Sequence, residues 1–320
     1  MVTNMKKKEP AVSVIMNCLN CEKYLREAID SVYAQTYKDW EIIFWDNAST
    51  DSSAEIAKSY DSKLRYFRDD KTIPLGAARN KALEQCGGEY IAFLDCDDLW
   101  MPKKLEEQMP LFNDPKVGLV YTLARRFNSN GLIDKENEIF EDHFSKINFG
   151  LLLENYSITM SSVIISCFVL FSLSYKYDPI LKYAEELDLF LRICYKYDVI
   201  RLNEYQTHYR IHKKMLTLNS FNLAILEREY ILTKLKIMYQ DIEKEYHLVL
   251  QKLEARNSWY KFVKLVSENR NKNARRYLLP YRGKKLKYFI AFFFSFFCSK
   301  LIIKVWNYRR KKVGKLPMIL

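Results

Sequence analysis

The 320-residue chain reads as an α/β domain followed by a C-terminal helical region. Three observations predict this. Over the first hundred residues, short apolar runs alternate with amphipathic segments, the pattern of a parallel sheet with right-handed crossovers. Polar clusters end or follow the apolar runs, and such sheets bind ligands at the carboxyl ends of their strands. From about residue 220 only helical periodicity is left. The chain is 49% hydrophobic and 28% charged, with 8 glycines, which excludes a disordered chain.

The elements follow in order. "AVSVIMNCL" (11–19) is a β-branched apolar run and predicts a buried strand. In the next segment Leu25, Ala28, Ile29, Val32 and Tyr33 recur at helical spacing and form one face. "WEIIFWD" (40–46) predicts a second strand, and Thr50 or Asp51 an N-cap for the helix after it. "KLRYFRD" is a third, shorter strand. "PLGAARNKALEQC" is helical and stops at Gly87-Gly88, before the strand "EYIAFLD". A helix follows Pro102 to about Phe112. "VGLVYT" and "ITMSSVIIS" read as further strands, and "AEELDLFLRICYKY" (184–197) as a helix with Leu187, Leu191 and Cys194 on one face. In "YQTHYRIH" (205–212) alternation puts His208, Arg210 and His212 on one face and Tyr205, Tyr209 and Ile211 on the other. The organisation predicted is a domain over 1–218, a helical extension over 219–280 and a basic, aromatic tail over 281–320.

The net charge of +12 is unevenly placed. Residues 281–320 hold eleven Lys or Arg and no Asp or Glu, so the first 280 carry 40 basic against 39 acidic side chains. A basic tail binds nucleic acid or an anionic membrane surface. "YFIAFFFSFFCS" (288–299) decides between them, with six phenylalanines among twelve uncharged residues. Twelve helical residues span about 18 Å, short of the roughly 30 Å hydrocarbon core. The tail is therefore expected to lie in the membrane interface, its lysines reaching headgroups; a crossing over 286–306 is the alternative. No signal peptide follows "MVTNMKKKEP". The expected location is cytoplasmic, peripheral to the inner face of the cytoplasmic membrane, with no nucleic-acid partner. Of the seven cysteines only Cys18 and Cys21 form a CxxC. Without a second pair or a nearby His it speaks against zinc and leaves a redox pair open.

The chemistry concentrates in "FLDCDDLW" (93–100). Asp95 and Asp97 alternate on an extended segment and so face one spot. Paired carboxylates of this kind suit Mg²⁺ or Mn²⁺, with substrate phosphates completing the shell. A solvated acidic loop or a cap for the helix at Pro102 is the plainer reading. Asp98 points the other way and is expected to cap that helix.

Several motifs together resemble the family 2 glycosyltransferases of bacterial surface-polysaccharide type. "VSVIMNCLNCEKYLREAIDSVYAQTYKDWEIIFWDNASTDSSAEI" looks like their N-terminal region, with "WDNASTD" where the family shows D-D/N-G/A-S-x-D. "GAARNKAL", "YIAFLDCDDLW", "AEELDLFLR" and "YRIH" resemble the later motifs, in family order, over about 11–215. The resemblance implies a GT-A fold, a Rossmann-like nucleotide-binding mixed sheet flanked by helices. It implies an inverting, metal-dependent hexosyltransferase. This would move a sugar from a nucleotide-sugar, a UDP-sugar, to a hydroxyl of a glycan or lipid-linked acceptor.

The resemblance also implies roles. Asp97 would hold Mg²⁺ or Mn²⁺, with Asp95 supporting it or contacting the ribose. Asn20 would line the base pocket, though Asn17 and Leu19 stand where the family has Pro and Tyr. Asp46 would accept from a uracil N3–H or else cap a helix. Asn47 stands where many members have Asp. Arg79 would pair with base or phosphate, or be a surface helix charge. His212 would bind metal or diphosphate, or be structural. The acceptor base falls on Glu186, where the family has Asp; Asp188 is the next candidate, or else an i,i+4 partner of Arg192. A processive synthase is the neighbouring alternative, without the multiple transmembrane helices or the Q-x-x-R-W it would need. A nucleotidyltransferase would need a glycine-rich loop where "NCLNCEKY" has no glycine.

Overall fold

The alternation of apolar runs and amphipathic segments resolves into β1 (Val12–Cys18), α1 (Glu22–Tyr33), β2 (Trp40–Asp46), α2 (Ser53–Lys58), β3 (Leu64–Arg68), α3 (Leu75–Leu83) and β4 (Tyr90–Phe93). These come from a computed structural model that describes residues 9–134, 140–212, 215, 221–283 and 286–297. Every residue of β2 is buried, as expected of a strand with helices on both faces. The face of α1 that meets the sheet is Leu25, Ala28, Ile29 and Val32. The cap of α2, expected at Thr50 or Asp51, falls on Ser52, which makes no side-chain cap bond, and Asp51 instead bridges the starts of two helices. Asp51 accepts from the backbone N–H groups of Ser53 and Glu22, each at 3.0 Å, while Glu22 accepts from that of Ser52 at 3.0 Å.

β5 (Leu99–Trp100), α4 (Lys104–Gln108), β6 (Val117–Asn128), β7 (Gly131–Leu132), β8 (Phe144–Ile147), α5 (Phe149–Glu154), β9 (Ile164–Ser166), α6 (Cys167–Ser172), α7 (Glu185–Lys196) and β10 (Asp198–Arg210) complete the sheet and its cover. The described strands form one ten-stranded sheet in the order β3-β2-β1-β4-β9-β6-β10-β5, with β7 on β6 and β8 on β10. β1, β2, β3 and β4 are parallel, whereas β9 runs antiparallel to both β4 and β6. The sheet is mixed, with helices flanking it. The expected strand over "ITMSSVIIS" is shorter than its apolar content suggests. Met160–Ser162 coils into a 3-10 turn, and Ser162 bonds back to the Thr159 carbonyl through both its N–H (2.9 Å) and its hydroxyl (2.7 Å).

Two close approaches set the frame. Gly88 donates its N–H to Ser13 Oγ at 2.9 Å, and a Cβ there would stand 2.5 Å from the Ser13 backbone nitrogen. Only glycine lets the turn before β4 lie this close to β1. Lys104 is fully buried, with Nζ over the Trp100 ring at 4.1 Å and no hydrogen-bond partner among the described residues.

The chain divides into two compact units, residues 1–152 with 157–212, and residues 153–156 with 213–320. The second holds α8 (Phe221–Met238), α9 (Ile242–Glu245), α10 (His247–Ser267), α11 (Asn271–Leu278) and α12 (Leu286–Phe297). Phe262 and Val266 of α10, Ala274 and Leu278 of α11, and Tyr288 and Ala291 of α12 share one core. The described part of the aromatic stretch thus packs with the helices before it. Its other face, Phe289, Ile290, Phe293, Phe294 and Phe296, is exposed. Among the described residues no helix is long and apolar enough to cross a membrane. Residues 298–306 of the alternative crossing lie outside the described residues.

Burial pushes the Lys104 amine well below its ordinary pKa. The unfolded chain holds that proton up to about pH 10.4, and the folded chain releases it earlier. Stability therefore rises with pH between the folded and the unfolded value, and is lowest below the folded one. Lys104→Met keeps the aliphatic body and is expected to stabilise the protein by about 1–3 kcal/mol near neutrality, the gain shrinking toward pH ~10. Urea midpoints at pH about 7 and about 9.5 check it; a less stable variant near neutrality would sink the idea.

Candidate functional site

The carboxyl ends of β1, β2 and β4 lie side by side. Cys18 is in register with Asp46, and the Leu94 N–H donates to the Ile15 carbonyl at 3.0 Å. The acidic turn after β4 therefore opens onto the loops that follow β1 and β2. Asp95 and Asp97 do not meet at one spot as the alternation predicted, because the chain turns after Phe93 and each acid, Asp98 included, finds its own partner.

Asp95 turns toward Arg79 of α3, at 3.6 Å, with its side chain 42% exposed. Its backbone N–H donates to Ser161 Oγ at 3.1 Å. Burial of the carboxyl raises its pKa, Arg79 pulls it back, and Asp97 and Glu185 raise it again; it stands at about 6. Asp97 Oδ2 meets His212 Nε2 at 2.8 Å, with side chains 31% and 19% exposed. Asp98 is fully buried, accepting from Ser161 Oγ at 2.6 Å and the Arg210 N–H at 2.9 Å. The expected cap is thereby corrected: Asp98 reaches inward, and α4 begins only at Lys104. Burial, then the charges of Asp97 and Asp95, push Asp98 well above the usual carboxylate range.

Arg210 closes this turn. Its Nε donates to the Asp97 carbonyl at 2.7 Å and its Nη2 to Glu27 at 2.8 Å. Its guanidinium lies 4.3 Å from the Tyr24 ring centre and 4.4 Å from that of Phe127. Tyr24 also lies 5.3 Å from the His212 ring, so the same aromatic orients both basic groups.

Arg79 is buried and donates to Glu185 Oε1 at 2.7 Å. Its charge is engaged by Glu185 and Asp95, so it is not the surface helix charge of the plainer reading. Glu185 Oε2 is buried with no hydrogen-bond partner among the described residues. Glu186, the next residue of α7, is half-buried. Asp188 is inaccessible, pairing with Arg192 at 2.9 Å with both side chains 0% exposed. Arg192 in turn donates to the carbonyls of Tyr175 and Lys176. Asp188 thus braces α7 and drops out as a base, since no acceptor hydroxyl can reach it.

The second strand end differs from expectation in the same way. Asp46 is fully buried and accepts from the Ser49 N–H at 2.7 Å, Tyr66 Oη at 2.6 Å and Arg68 Nη1. Burial alone would raise its pKa; the bonds from Tyr66 and Ser49 and the Arg68 charge hold it below the usual range. It shapes the loop instead of presenting itself to a base. Asn47 clamps the following loop through both Ile73 backbone groups, donating to the carbonyl at 2.8 Å and accepting from the N–H at 3.0 Å. Asn20 is exposed in a left-handed conformation (φ 57°), and its Oδ1 accepts from the Thr50 N–H at 2.8 Å.

Sequence reasoning missed Ser161, Glu27, the part of Arg210 and the bond between Arg79 and Glu185. It also missed that Cys96 joins the CxxC: the sulfurs of Cys18, Cys21 and Cys96 lie within 4.8 Å of one another. Among the described residues no other group of three or more His, Cys, Asp or Glu side chains comes together this closely.

The carboxylates of Asp95 and Asp97 and the His212 imidazole are partly exposed at a strand-end edge. Of these only Asp97 and His212 meet, and a carboxylate oxygen with an imidazole nitrogen fits Mg²⁺ or Mn²⁺. The family model described as glycosyl transferase family 2 matches residues 13–176. A glycosyltransferase of Methanocaldococcus jannaschii is 34% identical over 220 residues, 66% of this chain and 73% of its own. The Escherichia coli UDP-Glc:alpha-D-GlcNAc-diphosphoundecaprenol beta-1,3-glucosyltransferase WfaP is 33% identical over 218 residues, 67% of this chain and 82% of its own. Among solved structures, the mannosyltransferase PcManGT from Pyrobaculum calidifontis, in complex with GDP-Man and Mn²⁺, matches with a TM-score of 0.60. Its identity is 16%, over 94% of this chain and 85% of that one. S. aureus TarS 1–349 in complex with UDP-GlcNAc matches with a TM-score of 0.55 at 18% identity, over 79% of this chain and 84% of that one. The two solved structures share the mixed sheet and its flanking helices. The family match and the two relatives carry the classification: the chain belongs to glycosyl transferase family 2.

Proposed function

We propose that the protein is an inverting, metal-dependent hexosyltransferase. It moves a sugar from a UDP-sugar to a hydroxyl of a lipid-linked glycan during bacterial surface-polysaccharide synthesis. The observation that carries this reading is the Asp97–His212 pair, 2.8 Å apart at the carboxyl edge of the sheet. Arg79, Glu185 and Glu186 stand beside that edge through Asp95. The activity of one relative supports donor and acceptor class: WfaP is a UDP-Glc:alpha-D-GlcNAc-diphosphoundecaprenol beta-1,3-glucosyltransferase.

Asp97 and His212 would hold Mn²⁺ or Mg²⁺, which supplies positive charge to the diphosphate leaving group. Asp95, held by Arg79, supports the turn and reaches the ribose. Asn20 and the exposed Leu19 form the lip of the base pocket. Asp46 and Asn47 act from behind, fixing the loops around Ser49 and Ile73. Glu186 accepts the proton of the acceptor hydroxyl as its oxygen bonds to the anomeric carbon. The bond to the β-phosphate oxygen breaks on the opposite face, and its electron pair leaves with the diphosphate. Glu185 cannot serve, because its side chain is buried and its Oε1 accepts from Arg79. The exposed aromatic face of α12 lies in the interface at the inner face of the cytoplasmic membrane, where a lipid-linked acceptor is met.

Asp97→Ala is expected to lower donor hydrolysis by about 10²- to 10³-fold and abolish its dependence on Mn²⁺. A screen across nucleotide-sugars with and without chelator reads this; hydrolysis indifferent to both refutes the metal role. Glu186→Gln should cut transfer by about 10²- to 10⁴-fold while donor affinity, measured by titration calorimetry, stays unchanged. Normal transfer by this variant moves the base elsewhere. The full chain should sediment with anionic vesicles and be only partly released by salt, because apolar burial survives screening. Binding to DNA but not to vesicles overturns the membrane reading.

A further inference from the structure

The cysteine cluster beneath the acidic turn is not used by the proposed chemistry. Cys18 ends β1, Cys21 precedes α1, and Cys96 sits between Asp95 and Asp97. Their sulfurs lie within 4.8 Å of one another. Cys18 and Cys96 are buried and Cys21 is half-buried, so the cluster has a closed floor and one open side. Each thiol has a polar neighbour outside the cluster. Cys96 donates to the Asn17 carbonyl at 3.3 Å, Cys21 to the Leu19 carbonyl at 3.6 Å, and Cys18 lies 3.8 Å from Ser49 Oγ.

Zinc binds thiolate sulfur at about 2.3 Å, which in a tetrahedral site puts the sulfurs about 3.8 Å apart. The observed cluster needs only a small contraction to reach that spacing. The chemistry differs from that of the Asp97–His212 edge. Soft thiolates select Zn²⁺ or Cu⁺, whereas Mg²⁺ and Mn²⁺ prefer oxygen. Three thiolates around a divalent ion leave one net negative charge. The amino terminus of the twelve-residue α1, directly after Cys21, is suited to offset it.

We propose that Cys18, Cys21 and Cys96 form a three-thiolate site for Zn²⁺, separate from the donor-metal edge. On binding, the three thiols release their protons to solvent and three sulfur–zinc bonds form. A water on the open Cys21 side fills the fourth position. The site joins the ends of β1 and β4 to the start of α1, and so ties together the three segments that frame the acidic turn. This does not depend on the glycosyl-transfer reading.

The test is titration of the reduced, full-length protein under argon with Co²⁺, as a coloured stand-in for Zn²⁺. One equivalent per chain is expected to give a sulfur-to-cobalt charge-transfer band, which Zn²⁺ removes and excess Mn²⁺ does not. Cys96→Ser and Cys21→Ser should each weaken binding by more than about 100-fold, beyond the loss seen for outer hydrogen-bond partners of a metal ligand. Cys86→Ser and Asp97→Ala should keep the band. Cys21 is partly exposed, so its variant stays informative if the buried Cys96 variant does not fold; circular dichroism reports folding in each case. No thiolate band, a band that survives Cys21→Ser, or formation of a Cys18–Cys21 disulfide in place of metal uptake overturns the proposal. Loss of the band in Asp97→Ala would assign the ion to the donor edge and overturn it as well.

Discussion

Three carboxylates within four residues repel one another unless each is answered separately. That requirement organises the first unit. Asp95 is answered by Arg79 from α3, Asp97 by His212 beyond β10, and Asp98 by Ser161 and the Arg210 backbone. The partners come from segments far apart in sequence, so the turn forms only once α3, the 160–162 turn and the end of β10 are in place. The Arg79–Glu185 pair behind Asp95 is also enclosed, its side chains 4% and 3% exposed. Removing one partner of such a pair typically costs about 3–5 kcal/mol, chiefly because the other charge is left buried alone. The pair is better read as fixing the geometry of Asp95 and α7 than as a source of net stability.

The arrangement separates groups that face outward from groups that hold them. Asp97, His212, Glu186, Leu19 and Asn20 keep some exposure. Asp46, Asn47, Arg79, Asp98 and Asp188 do not, and each is bonded to a loop or helix that carries an exposed neighbour. A family motif thus mixes contact residues with supports, and the residue letters alone do not say which is which.

The early strands and helices were legible because each has a clean period: β2 is apolar throughout, and α1 repeats its apolar face at i, i+3 and i+4. The alternating parallel order followed from the same signal. The antiparallel β9 was not legible, because its direction is set by pairing with β4 and β6, not by its own three residues. The site was half legible. Asp97 and His212 were named, and they do meet. The i,i+4 pairing of Asp188 with Arg192 was readable from local spacing, whereas Tyr66 and Arg68 beside Asp46 and Glu185 beside Arg79 lie too far along the chain for any local spacing to reveal. Cys96 was hidden for the same reason: nothing in "DCD" points back to the CxxC.

Gly88 carries a consequence of another kind. Its backbone lies so close to Ser13 that the start of β4 and the start of β1 are held at one height. That contact is at the opposite end of the strands from the acidic turn. Errors in alignment are thereby excluded at the amino end, and the loops at the carboxyl end can change in length and composition without disturbing the strands beneath them. Divergence in what the protein recognises can accumulate on one rim while the other rim stays unchanged, so new specificities need not solve the folding problem again.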